Sequence, residues 1–208
     1  MTNFEPLNQS VISGRVDQVK EQTKAMVDAG VSPIEIINQG LIAGMNVVGV
    51  RFKNGDMFVP EVLMCARSMA AGIEIVKPLI ADTDMPSKGK VLIGTVKGDL
   101  HDIGKNLVGM MMESGGFNVI NLGVDIPPEK FVAAIKEHKP DIVAMSALLT
   151  TTMLQMKDTI ELIKEEGLNV KYIIGGAPIS QEFADEIGAD GYAPDAASSV
   201  DLCLKLIG

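Results

Sequence analysis

The chain has 208 residues, 27 acidic against 18 basic, with a formal charge of −9, 13 methionines, 2 histidines, 2 cysteines and no tryptophan. This acidic balance offers a nucleic-acid backbone or an anionic membrane surface no basic footprint, so neither is an expected partner. No uninterrupted run of about eighteen apolar residues occurs, and the N-terminal MTNFEPLNQS lacks the basic and apolar regions of a signal peptide, so the expected location is cytoplasmic.

Helical spacing without strand alternation fills the chain up to about residue 81. In SPIE, Ser32 is placed to cap a helix, Pro33 suits its first turn and Glu35 completes a capping box. In FVPEVLMCARSMAAGIEIVKPLI, residues Val59, Val62, Leu63, Ala66, Met69, Ile73 and Val76 recur at steps of three and four, which puts them on one helix face. Gly30 and KNGD punctuate the neighbouring segments, so three or four helices in a small bundle are expected. The polar stretch DTDMPSKGK, 82–90, shows neither period and has the composition of a linker. It divides the chain into a helical domain over 1–88 and a second domain over 89–208. Cys65 and Cys203 fall far apart in apolar helical patterns and are expected as buried free thiols.

Beyond the linker, short apolar runs alternate with amphipathic segments. KVLIGTV, NVINLG, DIVAMSAL, VKYIIGG and a short GYAP are the expected strands, with helices beginning near Ile103, Pro127, Thr151, Ser180 and Asp195. Five βα units of this size need crossover connections, hence a parallel sheet covered by helices on both faces. The expected class is α/β: an N-terminal helical bundle, then a flavodoxin-like (Rossmann-like) doubly wound sheet of five parallel strands in the order 2-1-3-4-5.

In such a sheet, ligands gather beyond the carboxyl ends of the strands where strand order reverses, here beside the loops after the first and third strands. The first of these loops, GDLHDIGKN, places Gly98, Asp99, Leu100, His101, Asp102, Ile103 and Gly104 at the crevice. Three arrangements suit them. His101 can pack at a helix start, with Asp99 and Asp102 accepting backbone N–H bonds. Asp99 and Asp102 can form an acidic divalent-cation or phosphoacceptor pocket, as in receiver domains. Or His101 can ligate a transition metal while Asp99, two residues earlier, accepts the N–H of the other ring nitrogen and fixes the tautomer. A single histidine holds a loose ion poorly, so in the third case the metal arrives inside an organic chelate. Ser146, Thr150, Thr151 and Thr152 offer hydroxyls after the third strand, and the paired Gly175 and Gly176 leave room for a large cofactor after the fourth.

Taken in order, DLHDIG, a gap of forty-one residues, SAL, a gap of twenty-six and GG resemble the signature of cobalamin-binding domains. LIAGMNVVGVRFKNGDMFVPEVLMCARSM resembles the helical cap of methyl-transferring cobalamin proteins. TVKGDLHDIGKN is similar to the form in methionine synthase and in small corrinoid proteins, so the likeness covers nearly the whole chain. Modules for homocysteine, folate and adenosylmethionine have no counterpart in it, and the resemblance implies a stand-alone corrinoid protein of a three-component methyltransferase system. It further implies that His101 replaces the cofactor's benzimidazole as the lower axial ligand of cobalt, that Asp99 hydrogen-bonds the ring and that Thr152 continues the relay. Ser146 and Thr150 would meet the nucleotide tail, and Leu148, in the same motif, would contact the cofactor. Gly175 and Gly176 would admit it, Ala196 would lie near its end, and Phe58 would cover the upper face of the cofactor.

The implied function is methyl carriage. Cob(I)alamin would take a methyl group from a substrate activated on a substrate:corrinoid methyltransferase. Methylcobalamin would then yield it to a second methyltransferase, with tetrahydrofolate or coenzyme M as acceptor, and a reductive activase would complete the partners. Substrate choice lies on the partner chain, so methylamines, methanol, aryl methyl ethers, methylthiols and betaines all fit. The linker at 82–90 is expected as the hinge that lets the cap move aside. The same signature also serves cobalamin-binding subunits of radical mutases and cobalamin-sensing regulatory modules. The helical cap argues against the first, and the absence of an evident DNA-binding segment against the second. His138, in KEHKPD, has no expected role.

Overall fold

The computed structural model describes residues 2–80 and 87–208, and these fall in two compact units: residues 2–80 and 87 with 114–116, and residues 88–113 with 117–208. Most of the hinge expected at 82–90, residues 82–86, lies outside the described residues.

Among the described residues the helical unit contains α1 (Glu5–Ile12), α2 (Val16–Asp28) and α3 (Pro33–Glu35). A π-helical stretch, Ile36–Ile42, runs from α3 into α4 (Ala43–Lys53), and α5 (Val59–Val76) ends in a 3-10 turn, Lys77–Leu79. Counting α3 to α4 as one rod gives the upper figure of the expected three or four. Of the periodic positions on α5, Val62, Ala66, Met69 and Val76 are buried, whereas Val59 in the first turn is exposed. The capping box expected at Ser32 does not form, since Ser32 makes no side-chain cap bond. Pro33 already supplies the helical φ and removes one donor, so the turn starts without the serine. A carboxylate does this work at α5 instead, where Glu61 Oε2 accepts the Phe58 N–H at 2.8 Å.

The second unit alternates strand and helix: β1 (Lys90–Thr95), α6 (Ile103–Ser114), β2 (Asn118–Asn121), α7 (Pro128–His138), β3 (Ile142–Ser146), α8 (Leu154–Glu165), β4 (Lys171–Gly175), α9 (Gln181–Ile187), β5 (Gly191–Tyr192) and α10 (Ala196–Ile207). All pairings are parallel and the order is β2-β1-β3-β4-β5, as the spacing of the apolar runs implies. Side chains of a strand alternate between faces. Leu92 therefore joins Phe131, Val143, Met156 and Ile160 in one core, and Val91 and Ile93 join Met112, Ile142, Ile173 and Cys203 in the other. With both faces covered, β1 is buried at every position from Val91 to Thr95, which is why it appears in the sequence as an unbroken apolar run.

The register pairs Thr95 with Ser146, so β1 and β3 end level and the loops that follow them emerge side by side. Both cysteines are free and buried, and burial pushes the Cys203 thiol up to about 12. No described helix is long and apolar enough to cross a membrane.

Candidate functional site

Asp99, on the loop between β1 and α6, is wholly buried and ties the two neighbouring loops together. Its Oδ1 accepts the backbone N–H of His101 at 3.1 Å and lies 2.7 Å from His101 Nδ1. Its Oδ2 accepts the Leu148 N–H at 2.7 Å and the Thr152 hydroxyl at 2.8 Å, both from the loop after β3. Burial pushes this carboxyl up, but the Leu148 N–H, the His101 N–H and ring and the Thr152 hydroxyl outweigh it and hold it well below the usual carboxylate range. An ionised carboxylate only accepts, so it accepts a hydrogen bond from Nδ1–H and leaves the lone pair of the ring on Nε2. The His101 side chain is 52% exposed, and Nε2 makes no hydrogen bond among the described residues.

The loop holds this geometry through its backbone. Gly98 sits at φ 80°, which a side chain would resist. Thr95 Oγ1 donates to the His101 carbonyl at 2.9 Å, so the end of β1 fixes the far end of the loop.

The other expected residues divide clearly. Asp102 is exposed and starts α6. Its carbonyl accepts the Asn106 N–H at 2.7 Å and its carboxylate accepts from Asn106 Nδ2 at 3.0 Å. Asp99 and Asp102 therefore build no shared acidic pocket, and among the described residues no group of three His, Cys, Asp or Glu side chains could hold a metal ion. Leu100, Ile103 and Leu148 are exposed, as are Leu149 and Leu154, which gives these loops and helix starts apolar side chains facing outward. A Cβ added at Gly104 would meet nothing within 4 Å, so that side of the α6 start is open.

Ser146 ends β3 half-buried and Thr150 is exposed. The helix expected near Thr151 begins at Leu154 instead. The amides of Thr152 and Met153 both turn back onto the Leu149 carbonyl at 3.1 Å, and this turn points the Thr152 hydroxyl at Asp99. A Cβ at Gly175 would lie 3.1 Å from the Ala193 carbonyl oxygen. At Gly176, with φ 134°, it would lie 1.8 Å from the Ala147 carbonyl oxygen, so the protein's own loop packing demands that glycine. Ala196 is buried at the first turn of α10, behind Asp195, which caps the helix by accepting the Ser198 N–H at 2.8 Å. Phe58 belongs to the helical unit, where it is 69% exposed at the start of α5.

Sequence reasoning missed a buried lysine in the same stretch. Lys105 is 3% exposed, and its Nζ donates to Asn106 Oδ1 at 2.6 Å and to Asn121 Oδ1 at 2.8 Å. Burial pulls its ammonium down, opposed by Asp102. Two neutral amides stand where a buried cation would ordinarily have a carboxylate. A lysine in the first turns of an amphipathic helix has the pattern of a solvated residue, and only the asparagine of GKN hints otherwise.

The donor set fits a metal that arrives already chelated. It offers one protein nitrogen with its tautomer fixed by a buried carboxylate, beside outward apolar side chains and an open glycine.

Two family models, each described as a B12 binding domain, match residues 4–77 and 89–201. The chain is 45% identical to a corrinoid protein of Desulfitobacterium hafniense (strain Y51), over 100% of this chain and 99% of that protein. It is 48% identical to dimethylamine corrinoid protein 1 of Methanosarcina acetivorans, over 90% of this chain and 87% of that protein. Among solved structures, the methanol:cobalamin methyltransferase complex MtaBC from Methanosarcina barkeri contains a chain that matches with a TM-score of 0.90 and 34% identity, covering 97% of this chain and 78% of that one.

Proposed function

The chain belongs to the B12 binding domain family, and from that premise we propose that it is the methyl-carrying corrinoid protein of a methyltransferase system, with His101 as the protein ligand to cobalt. It binds cobalamin or a related corrinoid. The observation that supports the ligand assignment is the buried Asp99, which engages Nδ1 and leaves Nε2 of a half-exposed ring without a hydrogen bond among the described residues.

When bound, the corrinoid supplies a cobalt centre that accepts and releases a methyl group. The chain's own residues do the rest. Asp99 fixes the tautomer and orientation of His101, and Thr152 donates its hydroxyl proton to Asp99 Oδ2 and holds that carboxylate in place. The ring can take a proton at Nε2 only while that nitrogen has no other ligand, so ligation and protonation exclude one another. Ser146, Thr150, Gly175, Gly176 and Ala196 would receive the nucleotide arm, and Leu100, Ile103 and Leu148 would lie against the ring. Phe58 would cover its other face.

The partners in this account are a substrate:corrinoid methyltransferase, a second methyltransferase acting on tetrahydrofolate or coenzyme M, and a reductive activase. Relatives named for dimethylamine and methanol support a small methylated amine or alcohol as the donor. The test is a single turnover. Protein loaded with hydroxocobalamin and reduced is mixed with dimethylamine or methanol and the matching substrate:corrinoid methyltransferase, then with the second methyltransferase and its acceptor. One methyl group per protein should appear on the corrinoid and pass to the acceptor; no transfer with either donor contradicts the reading.

A further inference from the structure

We propose that Asp125, on the loop after β2, is a positioning residue that clamps the Gly98–Asp99 segment and so aims Asp99 at His101. The proposal rests on the assignment of His101 as the cobalt ligand. β1 lies between β2 and β3 in the sheet, so the loop it carries has two flanks. The β3 flank holds Asp99 by its carboxylate, through Leu148 and Thr152. Asp125 holds the same residue from the β2 flank by its backbone.

Three contacts define the clamp. Asp125 Oδ1 accepts the Gly98 N–H at 2.7 Å, and the Asp125 N–H donates to the Asp99 carbonyl at 3.0 Å. The next residue, Ile126, donates to the Thr95 carbonyl at 3.0 Å and bridges to Val96, which continues the β1 ladder past the end of β2. One residue thereby grips the N–H of Gly98 and the carbonyl of Asp99. The segment between those two points has no freedom to pivot, and it carries the carboxylate that meets Nδ1.

The backbone of Asp125 shows that its side chain matters. Its φ is 53°, and among the described residues only Lys139, at a helix end, shares a positive φ without being glycine. Glycine would adopt this conformation freely and stands two residues earlier, at Gly123. Only a residue with a short acceptor side chain can hold this turn and also reach the Gly98 N–H.

The test compares wild type with Asp125→Gly, Asp125→Asn and His101→Ala. Asp125→Gly removes the acceptor while easing the left-handed backbone, which offsets part of the loss, so the unloaded protein stays folded with a thermal midpoint lowered by only a few degrees. Asp125→Asn keeps an acceptor oxygen and tolerates the same turn. In Asp125→Gly the amides of His101 and Leu148 should exchange with solvent roughly five-fold faster, the effect of one lost hydrogen bond. Loaded with aquocobalamin, that variant should show part of the absorption change seen in His101→Ala, and Asp125→Asn should resemble wild type in both readouts. Unaltered exchange and absorption in Asp125→Gly, with His101→Ala still shifted, overturn the positioning role and leave the ligation standing. Unaltered absorption in His101→Ala overturns the ligation itself.

Discussion

Replacing Thr152 by valine keeps the shape of the side chain and removes one of the four donors to a buried carboxylate. The hydroxyl has one proton and two acceptors in reach, Asp99 Oδ2 at 2.8 Å and the Leu149 carbonyl at 3.0 Å. The shorter contact to the charged oxygen is the stronger, and a hydrogen bond to a charged group contributes about 1.5–3 kcal/mol. Three donors remain on Asp99, so the cost falls toward the lower half of that range, about 2 kcal/mol. With a urea dependence of about 2 kcal/mol/M for a unit of this size, the midpoint falls by about 1 M. The chain has no tryptophan, and its 2 tyrosines, Tyr172 in β4 and Tyr192 in β5, both lie in the α/β unit. Tyrosine fluorescence in urea therefore reports that unit alone. In an Asp99→Asn background the charge is gone and the same valine substitution should cost under about 1 kcal/mol. Equal costs in the two backgrounds would refute the coupling between Thr152 and Asp99.

Two further outcomes follow from the same site. Gly176→Ala drives a Cβ into the Ala147 carbonyl at a φ that alanine resists, so its cost exceeds about 4 kcal/mol and the cooperative tyrosine transition should disappear; a variant that unfolds at the wild-type urea concentration contradicts that loop packing. Asp99 is held below its ordinary range in the folded protein, so the unfolded chain binds the extra proton once the pH drops below about 4. The stability contributed by Asp99 is complete above that pH and is lost as the pH falls through the lower folded value. Urea midpoints should fall across acid pH more steeply for wild type than for Asp99→Asn, and parallel slopes would count against the buried ion.

The sheet was legible because a strand covered on both faces is apolar at nearly every position, so KVLIGTV and DIVAMSAL stand out as runs without alternation. The pairing of Asp99 with His101 was legible for a different reason: the partners are two residues apart, and the contact is local. Contacts that form only once β1 and β3 lie side by side were not. Asp99 meets Leu148 across 49 positions and Thr152 across 53, and the link from Thr152 to Asp99 was anticipated only through the family resemblance. The same holds for Asp125, whose reach to Gly98 spans 27 positions, and for Lys105, buried under an asparagine of the next strand. The π-helical turn at Ile36–Ile42 escaped because its apolar residues satisfy a helical period equally well. Gly176 was expected to leave room for a cofactor, whereas the pressure on it in the structure comes from the Ala147 carbonyl of the neighbouring loop.

The ligation of cobalt by His101 is tested most directly by electron paramagnetic resonance of the cob(II)alamin-loaded protein, grown with histidine labelled by nitrogen-15. His138, the other histidine, sits at the end of α7, where its carbonyl accepts from Lys90 Nζ at the opening residue of β1, the opposite end of that strand from His101. Coupling to a labelled nitrogen can therefore come only from position 101. The account predicts that the triplet splitting from an ordinary nitrogen becomes a doublet on labelling. A triplet that survives labelling would mean that the cofactor's own base still occupies the lower face.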